Sequence, residues 1–522
     1  MNPLIQLKQT TAICLVAFSL ACFGLLPNVQ AVLPSPTPDG GYPGGNTAEG
    51  QAALLSLTTG VNNTAIGYYS LKSDTTHRNN TAIGTAALYR NNADGNTATG
   101  CTALFSNITG SQNTADGGFA LYHNNATGNS AFGYLALFTN TSGSSNTAGG
   151  VQALFQNTTG FSNTATGVRA LFNNTDGAQN TAIGDTALFS NTTGDNNTAI
   201  GISALDSNTT GSANTAIGYK ALVSNTTASS NTTTGASALF SNTTGNNNTA
   251  TGSGALFSNN GDDNTATGPQ ALYNNTIGGG NTALGFQTLY NNTAGSGNTA
   301  LGFQALFENT TGTGNTALGA AAGINVTYAN HVTCIGPVLG ANLDDTTWIG
   351  NVYGVTTQNT TTLPVIVSND GQLGTAPSAA RFKKEIKPMD KVSESVLALK
   401  PVTFQYKGDK NNTSQFGLVA EEVAAVNPDL VVRDKNGAIY SVRYDAVNAM
   451  LLNEFLKEHR TVQKMKSTVA KQEASMTQQR KDFEATIARQ QKQIEALTTG
   501  LEKVSAQLEV NKAAPQTVLN NR

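Results

Sequence analysis

The chain has 522 residues, a net charge of −3 and only 12% charged residues. This balance gives no general attraction for nucleic acid, so we expect no nucleic-acid partner. Its 54 glycines and its abundance of Asn and Thr are typical of disordered chains. One apolar position nevertheless recurs in strict register, which disorder would not maintain, so we expect a folded and repetitive protein.

Residues 1–31 are predicted to be a signal peptide. Lys8 provides a basic start, an apolar run follows from Thr11 to Leu26, and Val29-Gln30-Ala31 is an acceptable cleavage site. The run is short and Pro27 ends it, which argues against a membrane anchor. We therefore expect a secreted or cell-surface protein, cleaved near Ala31, with no transmembrane segment in the mature chain.

Cysteine usage leaves one alternative for the leader open. A lipoprotein signal ending at Cys22 would be an alternative, although Ser19 stands where an aliphatic residue is expected. Beyond the leader, Cys101 and Cys334 lie far apart and do not suggest a disulfide framework.

A Pro/Gly-rich linker over residues 32–45 precedes a repeat that covers residues 46–330. Its motif is Asn-Thr-Ala-x-Gly, with Leu four residues after the Gly, and its period is 17 residues, or 16 in three places. A period this short and strict predicts a solenoid. The copies begin at Asn46, Asn63, Asn80, Asn96, Asn113, Asn129, Asn146, Asn163, Asn180, Asn197, Asn214, Asn231, Asn248, Asn264, Asn281, Asn298 and Asn315.

Each coil is predicted to contain two short extended pieces joined by turns. One piece is centred on Thr-Ala-Ile-Gly, as at residues 64–67, and the other on Ala-Leu-Phe, as at residues 187–189. The Asn-Thr-Thr-Gly stretch at residues 191–194 is a turn sequence. Stacked coils place identical Asn and Thr side chains above one another, where they can form hydrogen-bonded ladders.

A coil with so few apolar residues has a thin core, which favours packing of several chains side by side. The repeats resemble the β-roll heads of trimeric autotransporter adhesins from about Asn46 to Gly323. That resemblance implies a mainly β fold, a trimeric β-solenoid rod. The membrane β-barrel that ends those adhesins has no counterpart in this sequence, so the resemblance does not imply membrane anchoring.

After the repeats, residues 331–376 are predicted to form a capping or stalk β segment. Cys334-Ile335-Gly336 and Trp348-Ile349-Gly350 read as decayed or capping coils. Charged residues become frequent from Arg381 onward, which places a domain boundary near Thr375.

Residues 377–466 are predicted to form a small α+β domain. Short helices are expected at residues 391–399 and 421–426, strands at 402–406 and 416–419, and a hairpin around Asn436-Gly437. A long helix is expected from near Asp445.

Residues 467–510 are predicted to form a coiled coil, followed by a disordered tail over residues 511–522. Heptad spacing predicts association of chains but does not fix their number. The apolar positions spaced by seven are Phe455, Val462, Val469, Met476, Phe483, Leu497 and Val504, with Gln490 as the exception, and in the second register Ile487, Ile494, Leu501 and Leu508.

Four sequence blocks between about Thr375 and Lys466 resemble the endosialidase-type intramolecular chaperone family. The blocks are Ser-Ala-Ala-Arg-Phe-Lys at 378–383, Ile-Lys-Pro at 386–388, Gln-Phe-Gly-Leu-Val-Ala-Glu-Glu-Val at 415–423 and Tyr-Ser-Val-Arg-Tyr at 440–444. The resemblance implies a C-terminal domain that trimerises, guides folding of the fibre before it and then cuts itself off.

The family's Ser-Lys dyad maps onto Ser378 and Lys383, the two predicted catalytic residues, with Ala379 where the family often has Asp. A serine hydroxyl is a poor nucleophile until a base takes its proton. Lysine is such a base only where desolvation or neighbouring positive charge disfavours its ammonium form. Because five residues correspond to about 140° on an ideal helix, a turn must bring this pair together.

Two functional hypotheses follow. The first is an exported fibre whose C-terminal domain assembles three copies and cleaves itself at or beside Ser378. The second is a non-enzymatic trimeric surface adhesin or structural fibre, whose rod binds a cell-surface or glycan ligand. Neither requires a cofactor or a metal, and the four histidines lack the spacing of metal ligands.

The repeat itself creates a problem that the first hypothesis answers. Identical coils can pair out of register, because a slip of one full repeat preserves nearly every contact. A terminal trimerising domain would set the register before it leaves.

Overall fold

A computed structural model describes residues 41–353, 355, 362–368, 370–434 and 436–510. The predicted signal peptide, residues 32–40 of the predicted linker and the predicted tail at 511–522 lie outside the described residues. The chain divides into two compact units, Met1–Thr356 and Thr357–Arg522. Each is described by itself.

The first unit is a parallel β-solenoid of about 18 turns, which confirms the mainly β fold. Each coil contributes one short strand, and Thr181–Ile183 pairs in parallel with Thr198–Ile200 so that like residues lie side by side. Gly41–Tyr42 (β1) pairs antiparallel with Asn46–Glu49 (β2) at the first coil. The later strands (β3–β20) are Thr64–Ile66, Thr81–Ile83, Thr97–Thr99, Thr114–Asp116, Ser130–Phe132, Thr147–Gly149, Thr164–Thr166, Thr181–Ile183, Thr198–Ile200, Thr215–Ile217, Thr232–Thr234, Thr249–Thr251, Thr265–Thr267, Thr282–Leu284, Thr299–Leu301, Thr316–Leu318, Thr333–Ile335 and Thr347–Ile349.

The prediction of a second extended piece in each coil, as at residues 187–189, is wrong. Leu188 has φ = 52°, in the left-handed region, and the segment is a turn whose amide at Leu188 donates to Ala204 O of the next coil at 3.0 Å. The turn directs Leu188 inward, where it is fully buried with Ala182 and Ala187. Left-handed backbone costs a non-glycine residue about 1–2 kcal/mol, and burying a leucine contributes about 1.5–3 kcal/mol, so burial offsets the strain.

The predicted Asn ladders are confirmed, and they form two buried columns. In the first column, the Oδ1 atom of Asn163 accepts from the backbone amide of Asn180 at 2.9 Å. In the second, Asn191 Nδ2 donates to Asn174 Oδ1 at 2.7 Å and to Gly194 O at 3.0 Å. Among the described residues, no buried side-chain nitrogen or oxygen lacks a hydrogen-bond partner. The columns therefore bury amides without leaving them unsatisfied.

The coils at Cys334 and Trp348 continue the sheet. Thr333–Ile335 pairs in parallel with Thr316–Leu318, and Thr347–Ile349 pairs with Thr333–Ile335. Val332 takes the place of the column Asn, and its amide donates to Asn315 Oδ1 at 2.8 Å. The first Asn column therefore ends here, while the strands run on for two coils.

The second unit consists of small hairpins and helices. Its strands are Ile366–Val367 (β21), Leu373–Gly374 (β22), Val402–Phe404 (β23), Gln415–Gly417 (β24), Val431–Arg433 (β25) and Ile439–Val442 (β26), paired antiparallel in sequence order. Its helices are the 3-10 helices Ala380–Phe382, Asp390–Ala398 and Pro428–Leu430, and the α-helices Ala420–Val426 (α1) and Tyr444–Val510 (α2). The segment expected as a helix at 391–399 is thus a 3-10 helix.

The core of the second unit is small, with Val423, Leu430 and Val447 among its buried members. Helix α2 begins in this core but is exposed along most of its length, including every heptad position from Phe455 to Leu508. No helix within the described ranges is long and apolar enough to cross a membrane.

Candidate functional site

Ser378 and Lys383 lie on either side of a single 3-10 turn. Extended backbone at Ala379 (φ −67°, ψ 145°) leads into the helix Ala380–Phe382, and Lys383 leaves it extended again. The turn is closed by hydrogen bonds from the amide of Phe382 to Ala379 O and from the amide of Lys383 to Ala380 O, both 3.0 Å. The two flanking residues are thereby brought to the same side of the turn.

The result is a direct contact between the two side chains. Lys383 Nζ lies 3.1 Å from Ser378 Oγ, within hydrogen-bond distance. This is the separation that proton transfer between a serine and a basic amine requires. An ideal helix would not have given it, so the local turn is what joins the pair.

The surroundings of this pair are open. Every residue from 377 to 385 is exposed in the single chain. The Arg381 guanidinium packs over the Phe382 ring, 4.8 Å from its centroid. Glu421 and Glu422 are exposed in the first turn of α1, where acidic side chains favour the helix dipole.

A second serine and lysine lie close together, and the sequence reasoning missed them. Ser393 is fully buried in the 3-10 helix Asp390–Ala398 and hydrogen-bonds to Glu454 of α2. Asn453 Nδ2 donates to Ser393 Oγ at 2.7 Å, and Lys457 Nζ lies 3.4 Å from the same oxygen. Their sequence separation of more than 60 residues carries no signal that could have linked them.

The electrostatics of this cluster point to a structural role. Lys457 Nζ lies 2.7 Å from Glu454 Oε1, and that hydrogen bond raises the pKa of Lys457 and lowers the pKa of Glu454. A lysine held in its ammonium form cannot take a proton from serine. The cluster therefore fastens the 3-10 helix to α2, and Ser378 with Lys383 remains the candidate catalytic pair.

The histidines have local partners. His77 Nδ1 lies 3.0 Å from Asp74 Oδ1, and His331 Nδ1 lies 3.1 Å from Asp345 Oδ1. Across the described part of the chain, no group of three His, Cys, Asp or Glu side chains could hold a metal ion.

Comparison with known proteins places this segment in context. Residues 378–432 match the model of the family described as chaperone of endosialidase, which confirms the resemblance inferred from the sequence blocks. The family is known for autoproteolysis. No curated protein and no solved structure matches the chain. A solenoid rod followed by such a segment fits a fibrous, tail-spike-like protein.

Proposed function

We propose that this protein is an exported fibre matured by its own C-terminal domain. In this proposal the domain assembles three copies, guides folding of the repeat rod, and cuts the chain once at or beside Ser378. The observation that carries the proposal is the 3.1 Å contact between Lys383 Nζ and Ser378 Oγ, at the first residue of the segment that matches the chaperone family.

The chemistry is a single-turnover serine cleavage. Lys383, as the neutral amine, takes the proton of Ser378 Oγ while the oxygen bonds to the scissile carbonyl carbon. The C–N bond then breaks, and the leaving amine receives that proton from Lys383. Water hydrolyses the ester left on Ser378, which yields one new carboxylate and one new amine in total.

Assembly would complete the site. Lysine serves as a base when the ammonium form is disfavoured by desolvation or nearby positive charge, and Ser378 and Lys383 are both exposed in the single chain. Packing of neighbouring copies would exclude water from this pair. It would also bring Arg381, Lys384 and Lys387 of the assembled chains close to the pair, where their positive charge would disfavour the ammonium form of Lys383. Cleavage would then report correct assembly.

The heptads of α2 support association of copies. The side chains at both heptad registers are exposed, for example Phe483 (69%) and Leu501 (69%). An exposed seam of this length is typical of a coiled-coil helix without its partners. We assign those partners to two further copies of this chain, as the family suggests.

The decisive experiment is intact-mass measurement of the expressed full-length chain. Two fragments are expected, and the first residue of the C-terminal fragment distinguishes a cut before Ser378 from one after it. Ser378→Ala and Lys383→Ala should each abolish cleavage, because they remove the nucleophile and the base, while light scattering still shows an assembled chain.

Matched controls separate chemistry from folding. Ser414→Ala removes another exposed serine, and Lys410→Ala removes another exposed lysine of the same unit; both variants should be cut normally. Continued cleavage of Ser378→Ala, or an uncut and correctly assembled natural chain, would refute the autoprotease. The latter result would favour the second function, a non-enzymatic trimeric adhesin or structural fibre.

A further inference from the structure

An exposed apolar strip runs along the rod, formed by the residues three and five positions after the first residue of each coil, which is the repeat Asn or, in the last two coils, Val332 and Thr346. These two positions flank the Gly that follows each strand, and their large apolar side chains are 36–53% exposed. The members are Ile66, Tyr68, Ile83, Phe132, Tyr134, Val151, Val168, Ile183, Ile200, Ile202, Ile217, Tyr219, Leu284, Phe286, Leu301, Phe303, Leu318, Ile335 and Ile349.

The strip is divided into three blocks by two polar gaps. The blocks cover the coils that begin at residues 63–80, 129–214 and 281–346. The gaps carry small or polar residues instead, such as Thr99 and Asp116 in the first and Thr234, Thr251 and Thr267 in the second. Blocks and gaps differ in length, so the pattern along the rod does not repeat.

We infer that this strip is the surface through which parallel copies of the chain pack in the rod, and that its blocks set their register. The inference rests on the proposed assembly of copies and names the face that the rod contributes to it. A second copy aligned coil for coil places every apolar block against an apolar block and every gap against a gap.

The size and chemistry of the strip favour a protein surface as its partner. At these exposures the three blocks together present on the order of 1,000 Å² of apolar surface, which is enough for a specific interface. Asp185 is the one charged residue at the strip positions of the three blocks. Burial of such a surface against another protein is favourable, because it removes apolar area from water.

The axial spacing singles out a second copy among protein partners. The strip repeats once per coil, about 4.8 Å along the sheet, over the length of the solenoid. Another copy of this chain has the same repeat and the same sequence of blocks. A different protein has no reason to match this axial repeat or this sequence of blocks.

The blocks also resolve the problem of slippage between copies. If copies slip by one coil, the coil at the edge of each block faces a polar coil, and apolar surface there stays exposed to water. Slips by more coils leave more of it exposed. The rod therefore favours one register by itself, and the C-terminal domain does not carry that task alone.

Cysteine cross-linking of the full chain tests the contact. In a Cys101→Ser background, since Cys101 lies on the strip, Ile200→Cys should give covalently linked chains when oxidised with copper–phenanthroline. Ile277→Cys is the matched control, because Ile277 is 71% exposed but lies off the strip, and it should not link. The background chain reports any linking through its remaining cysteines.

A mixed-chain experiment tests the register. Ile183 and Ile217 lie two coils apart, about 10 Å along the rod, whereas a disulfide needs Cα atoms within about 7 Å. Coexpressed, differently tagged Ile183→Cys and Ile217→Cys chains should link like to like, with few mixed products. Mixed links as abundant as like links would overturn the register.

Light scattering on the same samples separates the two levels of the proposal. An assembled chain whose Ile200→Cys thiol neither links nor resists a water-soluble maleimide better than Ile277→Cys would overturn the strip as the interface and leave the assembly standing. A monomeric chain would overturn both.

Discussion

At the scale of single residues, the coil depends on positions that tolerate only one type of residue. Gly184 has φ = 136°, and a Cβ atom there would lie 2.4 Å from Gly201 O of the next coil. The column Asn residues are equally restricted, since each donates and accepts within the ladder. Asn191 and Asn242 form Asn-x-Thr sequons, yet both side chains are fully buried and serve the ladder.

Gly184→Ala should destabilise the rod by at least about 1–3 kcal/mol, the cost of a strained backbone conformation, with the clash against Gly201 O added to it. Gly149→Ala is the control: its φ is not in the left-handed region, and the added Cβ would make ordinary contacts, the nearest 3.8 Å from Thr166 Oγ1. Thermal unfolding of the full chain measures both. Equal melting temperatures for the two variants would contradict the role assigned to Gly184.

Asp74 is the charged exception in the second Asn column, and it titrates abnormally. Burial raises the pKa of Asp74, and the hydrogen bond with His77 opposes the rise without cancelling it. The folded chain therefore holds this proton more tightly than the unfolded chain does. Its contribution to stability is fully present below the unfolded pKa of about 3.9 and is lost as the pH rises through the folded-state pKa.

Asp74→Asn should therefore stabilise the rod at neutral pH, by about 1 kcal/mol, and change little below about pH 4. Asn at this site can donate to the carbonyl three residues on, as Asn191 does to Gly194. Asp176→Asn should behave oppositely, because the hydrogen bond from Thr159 lowers the pKa of this exposed Asp176. Melting temperatures measured between pH 3 and pH 8 would reveal both signs; a pH-independent effect of Asp74→Asn would refute the first.

At the scale of elements, a third column of side chains was not anticipated from the sequence. The residue after each core Leu is often aromatic, and Phe155 and Phe172 stack with centroids 5.1 Å apart and an angle of 9°. The stack runs from Tyr89 to Phe189 and resumes from Phe240 to Phe307. These rings supply packing that the thin Ala-Leu core lacks.

Helix α2 is the other element whose surface carries a prediction. Ile487→Asp should weaken assembly, because each chain would lose about 1.5–3 kcal/mol of apolar burial, about tenfold or more in dissociation constant. Ala485→Asp introduces the same residue on the same turn but off the heptad seam, and it should assemble normally. Sedimentation of the uncleaved Ser378→Ala chain at several concentrations measures the difference. If the two variants assembled equally well, the heptad positions would not be part of the interface.

At the scale of the whole molecule, the chain contains two units that differ in how they bury apolar residues. The solenoid buries little per coil and repeats it, while the C-terminal unit has a small core and a long exposed helix. Both leave apolar surface uncovered, in the strip and in the heptads. We expect full-length assembled chain to unfold at a temperature that depends on protein concentration, because association of copies then adds to stability by mass action.

Much of this protein could be predicted from its sequence, because strict periodicity and local motifs are enough. The 17-residue period determined the solenoid, the Thr-Ala-x strands and the Asn ladders, since stacking must bring like residues together. The Asn436-Gly437 turn signal predicted the hairpin that Val431–Arg433 and Ile439–Val442 form. The sequence blocks around Ser378 and Lys383 indicated the resemblance to the chaperone family without any knowledge of the distance between the two side chains.

The rest was decided by tertiary structure. Leu188 was expected in a strand, yet burial holds it in a left-handed turn, because packing between coils outweighs local preference. The 3-10 turn that joins Ser378 to Lys383, and the contact of Ser393 with Lys457, depend on backbone paths that spacing does not specify. Which apolar side chains are buried and which form the outward strip was likewise visible only once the coil had closed.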